Sequence, residues 1–279
     1  MEHLKKAPKA YRNNKFLNSP AARTVRILTE YLEPFDRLNK YDIKDTIVFF
    51  GSARIIPLSQ AKKNVTDIKK KLNSIKNKKS KEYAENLKLL SYAEKEFEVA
   101  RYYDDTEELA YRLTKWSKNL KKGNKFVICS GGGPGIMEAA NKGASKAKGY
   151  SIGFNISLPF EQFPNKYITP NLNFEFHYFF MRKFWFAYLA KALVIMPGGF
   201  GTLDELMELL TLIQTEKLMK KMPILMYGKK FWDKVLNFEA MAEYRVISHN
   251  DLKLIKSVDT VDEAFSYLKR ELGKSYVKK

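Results

Sequence analysis

The apolar positions of this chain fall into short dense runs separated by longer amphipathic stretches. "TIVFF" (46–50), "KFVIC" (125–129), "YSIGFNI" (150–156), "ALVIM" (192–196) and "PILMY" (223–227) are apolar along most of their length, as strands covered on both faces are. Helical patterns lie between them. From Val99 to Leu120 the apolar positions 99, 102/103, 109/110, 113, 116 and 120 share one helical face. "PGIMEAANKGASKAKG" reads as a helix with Pro134 at its start, and "NLNFEFHYFF" leads into a helix through about Lys191. "LDELMELLTLIQTEKL", "FWDKVLNFEAMAEY" and a last segment near 260–272 complete the series. At the start, residues 1–18 form a polar arm; "NSPAARTVRILTEYLEP" then reads as a helix capped by Ser19, opened by Pro20 and ended by Pro34. Alternating strands and helices predict a doubly wound α/β fold, a parallel sheet with helices on both faces. The arm and first helix (1–45) precede one domain (46–279), and a basic stretch near 59–90 reads as an insertion, helical or partly mobile.

Composition narrows the function. With 279 residues and 45% hydrophobic content, the chain can bury one large core. It has no apolar run long enough for a membrane span, and its N-terminus lacks the apolar core of a signal peptide. A single cysteine, Cys129, excludes an internal disulfide framework and suits a reducing cytoplasm. Three scattered histidines (His3, His177, His249) and one cysteine write no zinc cluster. The net charge of +19 points to polyanionic or phosphorylated partners, although lysine-rich solvated faces explain it equally. Residues 61–81 hold nine Lys and one Asp, without an aromatic-interleaved basic motif, so nucleic acid is not expected as the main partner.

Candidate chemistry lies in the loops. "GSAR" (51–54), "SGGGPG" (130–135) and "PGGFGT" (197–202) each follow a strand, so they share the rim where such sheets bind ligands. Two are glycine-rich and run into helices, presenting unpaired N–H groups to an anion, most simply a phosphate. Neither is a standard dinucleotide G-x-G-x-x-G, and neither ends in the G-K-[ST] of a P-loop. Asp204 and Glu205 then stand in what reads as the first turn of a helix, where they would repel that anion; the plain reading is acids favoured by the helix dipole. Arg182 and Lys183 are adjacent cations in an aromatic segment, about 100° apart on a helix, so they need not do one job. One surface cation and one structural ion pair is the alternative. Cys129 reads as core. His177 either lines the pocket or packs. The aromatic cluster 174–186 reads as core and dimer interface, with one or two rings stacking on a base.

These motifs carry a resemblance. "PGGFGTLDE" matches P-G-G-x-G-T-x-x-E, the signature of the Lonely-guy (LOG) family, once labelled lysine decarboxylase-like. "MRK" lies where that family carries an Arg-Lys pair, and "SGGGPGIMEAAN" is similar to its other glycine loop. "FFGSAR" and "LPFEQFPNKYIT" resemble the longer bacterial branch. The resemblance covers roughly 19–231; the insertion and the N-terminal arm depart from the short plant members. It implies a Rossmann-like fold, usually dimeric. It also implies phosphoribohydrolase activity on a nucleoside 5′-monophosphate, AMP or an N6-modified AMP (a cytokinin riboside 5′-monophosphate), releasing free base and ribose 5-phosphate.

By the same resemblance Arg182 and Glu205 are the catalytic pair, and Lys183, Gly199, Gly201, Thr202 and Thr211 contact substrate. Glu161 is a further match, in a loop whose length differs from the plant enzymes. The rim loops add Ser52, Gly131, Gly132, Gly133 and Gly198 as substrate-binding candidates. No metal or organic cofactor is called for. In this reading N–H groups and Thr202 hold the 5′-phosphate. Glu205, one turn on, faces the ribose, stabilises its oxocarbenium-like charge and orients water, worth about 3–4 kcal/mol for a well-placed group. Arg182 positions the phosphoribosyl part and keeps Glu205 ionised, while Asp204 serves the helix cap. Two rivals stand beside it: a non-catalytic nucleotide-binding module on the same fold, and a pyridoxal-dependent decarboxylase. The latter needs a Schiff-base lysine, and only Lys183 adjoins the rim motifs.

Overall fold

The computed structural model describes residues 6–120, 125–158 and 163–277. The apolar runs become strands β1 (Thr46–Phe50), β2 (Val127–Ser130), β3 (Ser151–Ile156), β5 (Ala190–Ile195) and β6 (Ile224–Tyr227). Two strands went unread in the sequence, β4 (Asn173–Phe176) and β7 (Ile255–Val258). They are the two edges of a seven-stranded sheet in the order β4-β3-β2-β1-β5-β6-β7, and every pairing is parallel. Each residue of β1, β2 and β6 is buried, which is why those runs are continuously apolar. β4 alternates exposed and buried, and β7 fully buries only Val258. Edge strands need fewer apolar residues, so their signal is weak.

The helices are α1 (Asn14–Leu17), α2 (Arg23–Lys40), α3 (Leu58–Ser74), α4 (Lys81–Lys118), α5 (Ile136–Lys146), α6 (Phe179–Leu189), α7 (Phe200–Gln214), α8 (Lys229–Val235), α9 (Phe238–Glu243) and α10 (Val261–Tyr276). α2, α6 and α7 cover one face of the sheet, with Leu38, Trp185, Phe186, Leu206 and Leu209 in its core. α4, α5 and α10 cover the other, through Leu109, Leu113, Ile136, Ala140, Leu268 and Leu272. The fold is therefore doubly wound and Rossmann-like, with a helical extension ahead of β1.

Several boundaries moved, each for a physical reason. Pro34 does not end α2; the helix runs through it to Lys40. A proline lacks the N–H that would bond the carbonyl four residues back, here Glu30, and the Trp185 indole N–H fills that carbonyl at 2.9 Å. Ser19 does not cap by its side chain, because its hydroxyl donates to the Phe16 carbonyl at 2.7 Å. Pro20 does open a helical turn, a short 3-10 segment preceding α2. Pro134 lies outside α5, with Gly135 at φ 69° between them. α6 ends at Leu189, and Lys191 belongs to β5. The basic insertion is ordered as a helical hairpin: α3 returns along α4, which begins at Lys81 rather than near Val99.

Candidate functional site

The sheet order changes direction between β1 and its neighbours β2 and β5, and the loops after these strands meet at the switch point. Backbone bonds tie them together. Met196 N–H donates to the Phe50 carbonyl at 2.8 Å, Ser52 N–H to Pro197 at 3.0 Å and Ile136 N–H to Ser52 at 3.0 Å. Above them opens a cleft of about 680 Å³, lined by Ser52, Gly131, Arg182, Gly198, Gly199, Gly201, Thr202 and Glu205 among the expected residues. Arg54, Met137, Phe200 and Val235 also line it. Arg54 was legible in the "GSAR" loop; Val235, from the end of α8, carried no local signal.

α7 begins at Phe200, inside the glycine motif, so Asp204 and Glu205 stand in its second turn rather than its first. This start leaves the N–H groups of Phe200, Gly201 and Thr202 without a backbone acceptor among the described residues; Leu203 makes the first bond, to Gly199 at 3.0 Å. A Cβ at Gly199 or Gly201 would meet nothing within 4 Å. Thr202 is buried, and its Oγ1 packs where a Cβ on Gly198 would stand, at 2.1 Å. The open N–H groups and the helix dipole make this an anion-binding end.

Arg182 projects from the first turn of α6 into the same cleft. Its Nε donates to the Phe154 carbonyl at 2.7 Å, and a Cβ on Gly131 would lie 2.6 Å from its Nη2. Its Nη1 stands 3.7 Å from Glu205 Oε1, with Glu205 buried and Arg182 mostly so. That separation is an ion pair without a hydrogen bond, and Glu205 accepts none from the described residues, so its carboxylate is open to the cleft. Burial raises the Glu205 pKa to about 7, outweighing the lowering by Arg182 and Lys183. The sequence-based expectation that Arg182 keeps Glu205 fully ionised is thus corrected: desolvation exceeds the attraction. Burial also lowers the Arg182 pKa against the opposing pull of Glu205.

Other expected contacts lie elsewhere. Gly132 and Gly133 do not line the cleft; their carbonyls accept from Asn165 Nδ2 at 3.0 and 3.1 Å, and Gly132 N–H donates to Ser130 Oγ at 3.1 Å. Lys183 turns away, 2.9 Å from Asp204 and 2.7 Å from Glu208. Asp204 is therefore an ion-pair partner and not a helix cap. Thr211, roughly 120° around α7 from Glu205, faces a separate cavity of about 470 Å³ between α7, α8 and β7. Glu161 falls outside the described residues. His177 is exposed and outside the cleft; its backbone N–H donates to Glu30 at 2.8 Å and its ring stands edge-on to Tyr178, with centroids 4.7 Å apart. None of the rings at 174–186 lines the cleft. Cys129 is core. Among the described residues no group of three His, Cys, Asp or Glu could hold a metal ion, and no helix is long and apolar enough to cross a membrane.

An open helix N-terminus and an arginine–carboxylate pair thus meet in one cleft at the switch point of a parallel sheet. Residues 137–268 match the family described as "Possible lysine decarboxylase", in keeping with the resemblance that the motifs of the chain carry. No curated protein matches it. Among solved structures, it is similar to the structural-genomics target TM1055 at 18% identity and a TM-score of 0.44, covering 81% of this chain and 99% of that one. It is also similar to the molybdenum cofactor binding protein of the phototrophic bacterium Rippkaea orientalis, at 19% identity and 0.43, covering 61% and 86%.

Proposed function

We propose that the protein hydrolyses the N-glycosidic bond of a nucleoside 5′-monophosphate, AMP or an N6-modified AMP, to free base and ribose 5-phosphate. The observation that carries this reading is the Arg182–Glu205 pair beside the open first turn of α7. The phosphate docks on the N–H groups of Phe200, Gly201 and Thr202. Glu205, one turn further along, then faces the sugar. When ionised it stabilises the positive charge that develops at the anomeric carbon and orients the attacking water; the base leaves with the bond electrons and takes up a proton. Arg182, fixed by Phe154, holds the phosphoribosyl part and offsets the buried carboxylate.

A pure nucleotide-binding module has no use for a buried, desolvated carboxylate beside the sugar. The decarboxylase reading is disfavoured by Lys183: although burial lowers its pKa, its contacts to Glu208 and Asp204 raise it overall, which keeps the amine protonated and unsuited to Schiff-base chemistry. The proposed setting is cytoplasmic. The assembly is a homodimer formed through the apolar face of α2 and α6, where Leu28, Leu32, Phe180 and Tyr188 are each about half exposed.

The test compares release of free base from AMP and adenosine. AMP should react at least ~100-fold faster, because losing a charge-assisted phosphate cluster costs several kcal/mol. Equal rates would remove the phosphate assignment.

A further inference from the structure

The helical hairpin of α3 and α4 has no role in the cleft. Two contacts mark where α4 crosses the sheet. Ser117 Oγ accepts from Phe126 N–H just ahead of β2, at 2.7 Å, and Tyr103 OH donates to Glu138 in the first turn of α5, at 2.7 Å. From Tyr103 to Ser117 the helix therefore spans the sheet from rim to base. Near the rim, Glu98 feels the charges of Lys234 and Lys230 on α8. Before it, residues 81–97 extend past the rim for about 25 Å at 1.5 Å per residue, with α3 as the main helix packed along them among the described residues. Lys69–Glu94 at 2.9 Å and Lys71–Glu82 at 4.0 Å pin the two helices together.

This arm carries its charge asymmetrically. All nine lysines between 61 and 81 are exposed. Lys69, Lys71 and Lys81 have acidic partners. Lys62, Lys63, Lys70, Lys76, Lys78 and Lys79 have none among the described residues. Lys63 and Lys70 lie on the side of α3 opposite the buried Ala61 and Leu72, Lys62 lies on its flank, and the last three crowd the turn at the far end. Lysine side chains also cost entropy to order, so an ordered scaffold presenting unpaired ammonium groups fits a partner that supplies the counter-charge.

The distance excludes one explanation. The turn lies roughly three Debye lengths from the rim at physiological salt, so its charge does not draw a small nucleotide into this cleft. The turn residues exclude another: of Ile75, Lys76, Asn77, Lys78, Lys79 and Ser80, only Ile75 is apolar, and it is half-buried. A lipid surface is held by basic residues together with apolar anchors; the turn offers none, and the exposed Leu87, Leu89 and Tyr92 are set back from its lysines along α4. Lysines interleaved with Asn and Ser side chains suit a sugar-phosphate backbone.

We infer that the α3–α4 arm is a nucleic-acid-binding surface, contacting phosphates through the turn lysines and the outer face of α3 without reading sequence. The test measures binding of the full chain to a short labelled duplex DNA between about 50 and 200 mM salt. A triple variant, Lys76→Glu, Lys78→Glu and Lys79→Glu, is compared with a charge-matched control, Lys15→Glu, Lys217→Glu and Lys253→Glu, altered at exposed sites elsewhere. The arm variant should lose at least ~10-fold in affinity, and its log-affinity against log-salt slope should fall by about 3, close to 0.9 per phosphate contact. The control should change far less, and base release from AMP should be equal in all three proteins. Absence of binding at the lower salt overturns the inference. So does an equal loss in both variants, which would mean diffuse charge, and so does tighter binding to phosphatidylserine vesicles than to DNA.

Discussion

The two glycine-rich loops look alike in the sequence and do opposite work. In the loop after β2, Gly132 sits at φ +76°, and a Cβ there would lie 2.2 Å from Asn155 Oδ1. Its N–H and carbonyl are both engaged, by Ser130 and Asn165. Those glycines let backbone pack against side chains. In the loop after β5, Gly199 and Gly201 face open space and the following N–H groups are unbonded. Those glycines leave clear the surface on which the proposed phosphate would dock. Glycine content alone reports close approach; only the neighbours tell whether the approaching atoms are protein or substrate.

The comparison breaks if the second loop has no catalytic partner, so the largest expected effect is on Glu205. Glu205→Gln should reduce turnover ~100-fold or more while nucleotide binding survives or tightens. Asp204→Asn, which loosens only a partly exposed pair with Lys183, should keep most activity. In the wild type, activity should fall as pH drops through about 7, where Glu205 gains its proton, rather than near an ordinary carboxylate value. The folded pKa lies above the unfolded one, so the ionised form opposes folding. The cost sets in as pH rises past 4.5 and is complete above about 7, on the order of 3 kcal/mol. The stability of Glu205→Gln relative to wild type should therefore improve between pH 5 and pH 8 in thermal melts, and a pH-independent difference would contradict the raised pKa.

Next come the glycines themselves. Gly132→Ala should destabilise the protein by a few kcal/mol, because the new methyl strikes Asn155 in a left-handed backbone conformation; the folded fraction should turn over normally. Gly201→Ala should do the reverse. Its methyl meets nothing in the free protein, and alanine favours a helix over glycine by about 1 kcal/mol. Unfolding should thus be unchanged or later, while KM for AMP rises about tenfold or more, since a methyl in the phosphate position costs more than one charge-assisted bond. Matching effects for both variants would erase the distinction between the loops. The smallest effect is at Lys183. Its charge lowers the Glu205 pKa, so Lys183→Gln should shift the acidic limb of the activity profile upward and leave KM within a few-fold. A large rise in KM would restore Lys183 as a substrate contact.

The sequence by itself determined a good deal. Continuous apolar runs are demanded by a sheet covered on both faces, so the central strands were readable from local pattern, and the edge strands β4 and β7, which lack that demand, were not. Loops directly after strands must share a rim in a parallel sheet, so Ser52, Gly131, Gly199, Thr202 and Glu205 could be grouped before any coordinates. Tertiary structure alone decided the rest, because those outcomes depend on atoms distant in the chain. Trp185 carries α2 through Pro34 by filling a carbonyl that local rules leave open. Asn155 and Asn165 turn one glycine loop inward. Lys183 and Asp204, neighbours of the Arg182–Glu205 pair in sequence, bond each other instead of lining the cleft. Glu205 follows the same logic: a motif places a carboxylate beside an arginine, but whether it is charged depends on how much water the surrounding fold removes.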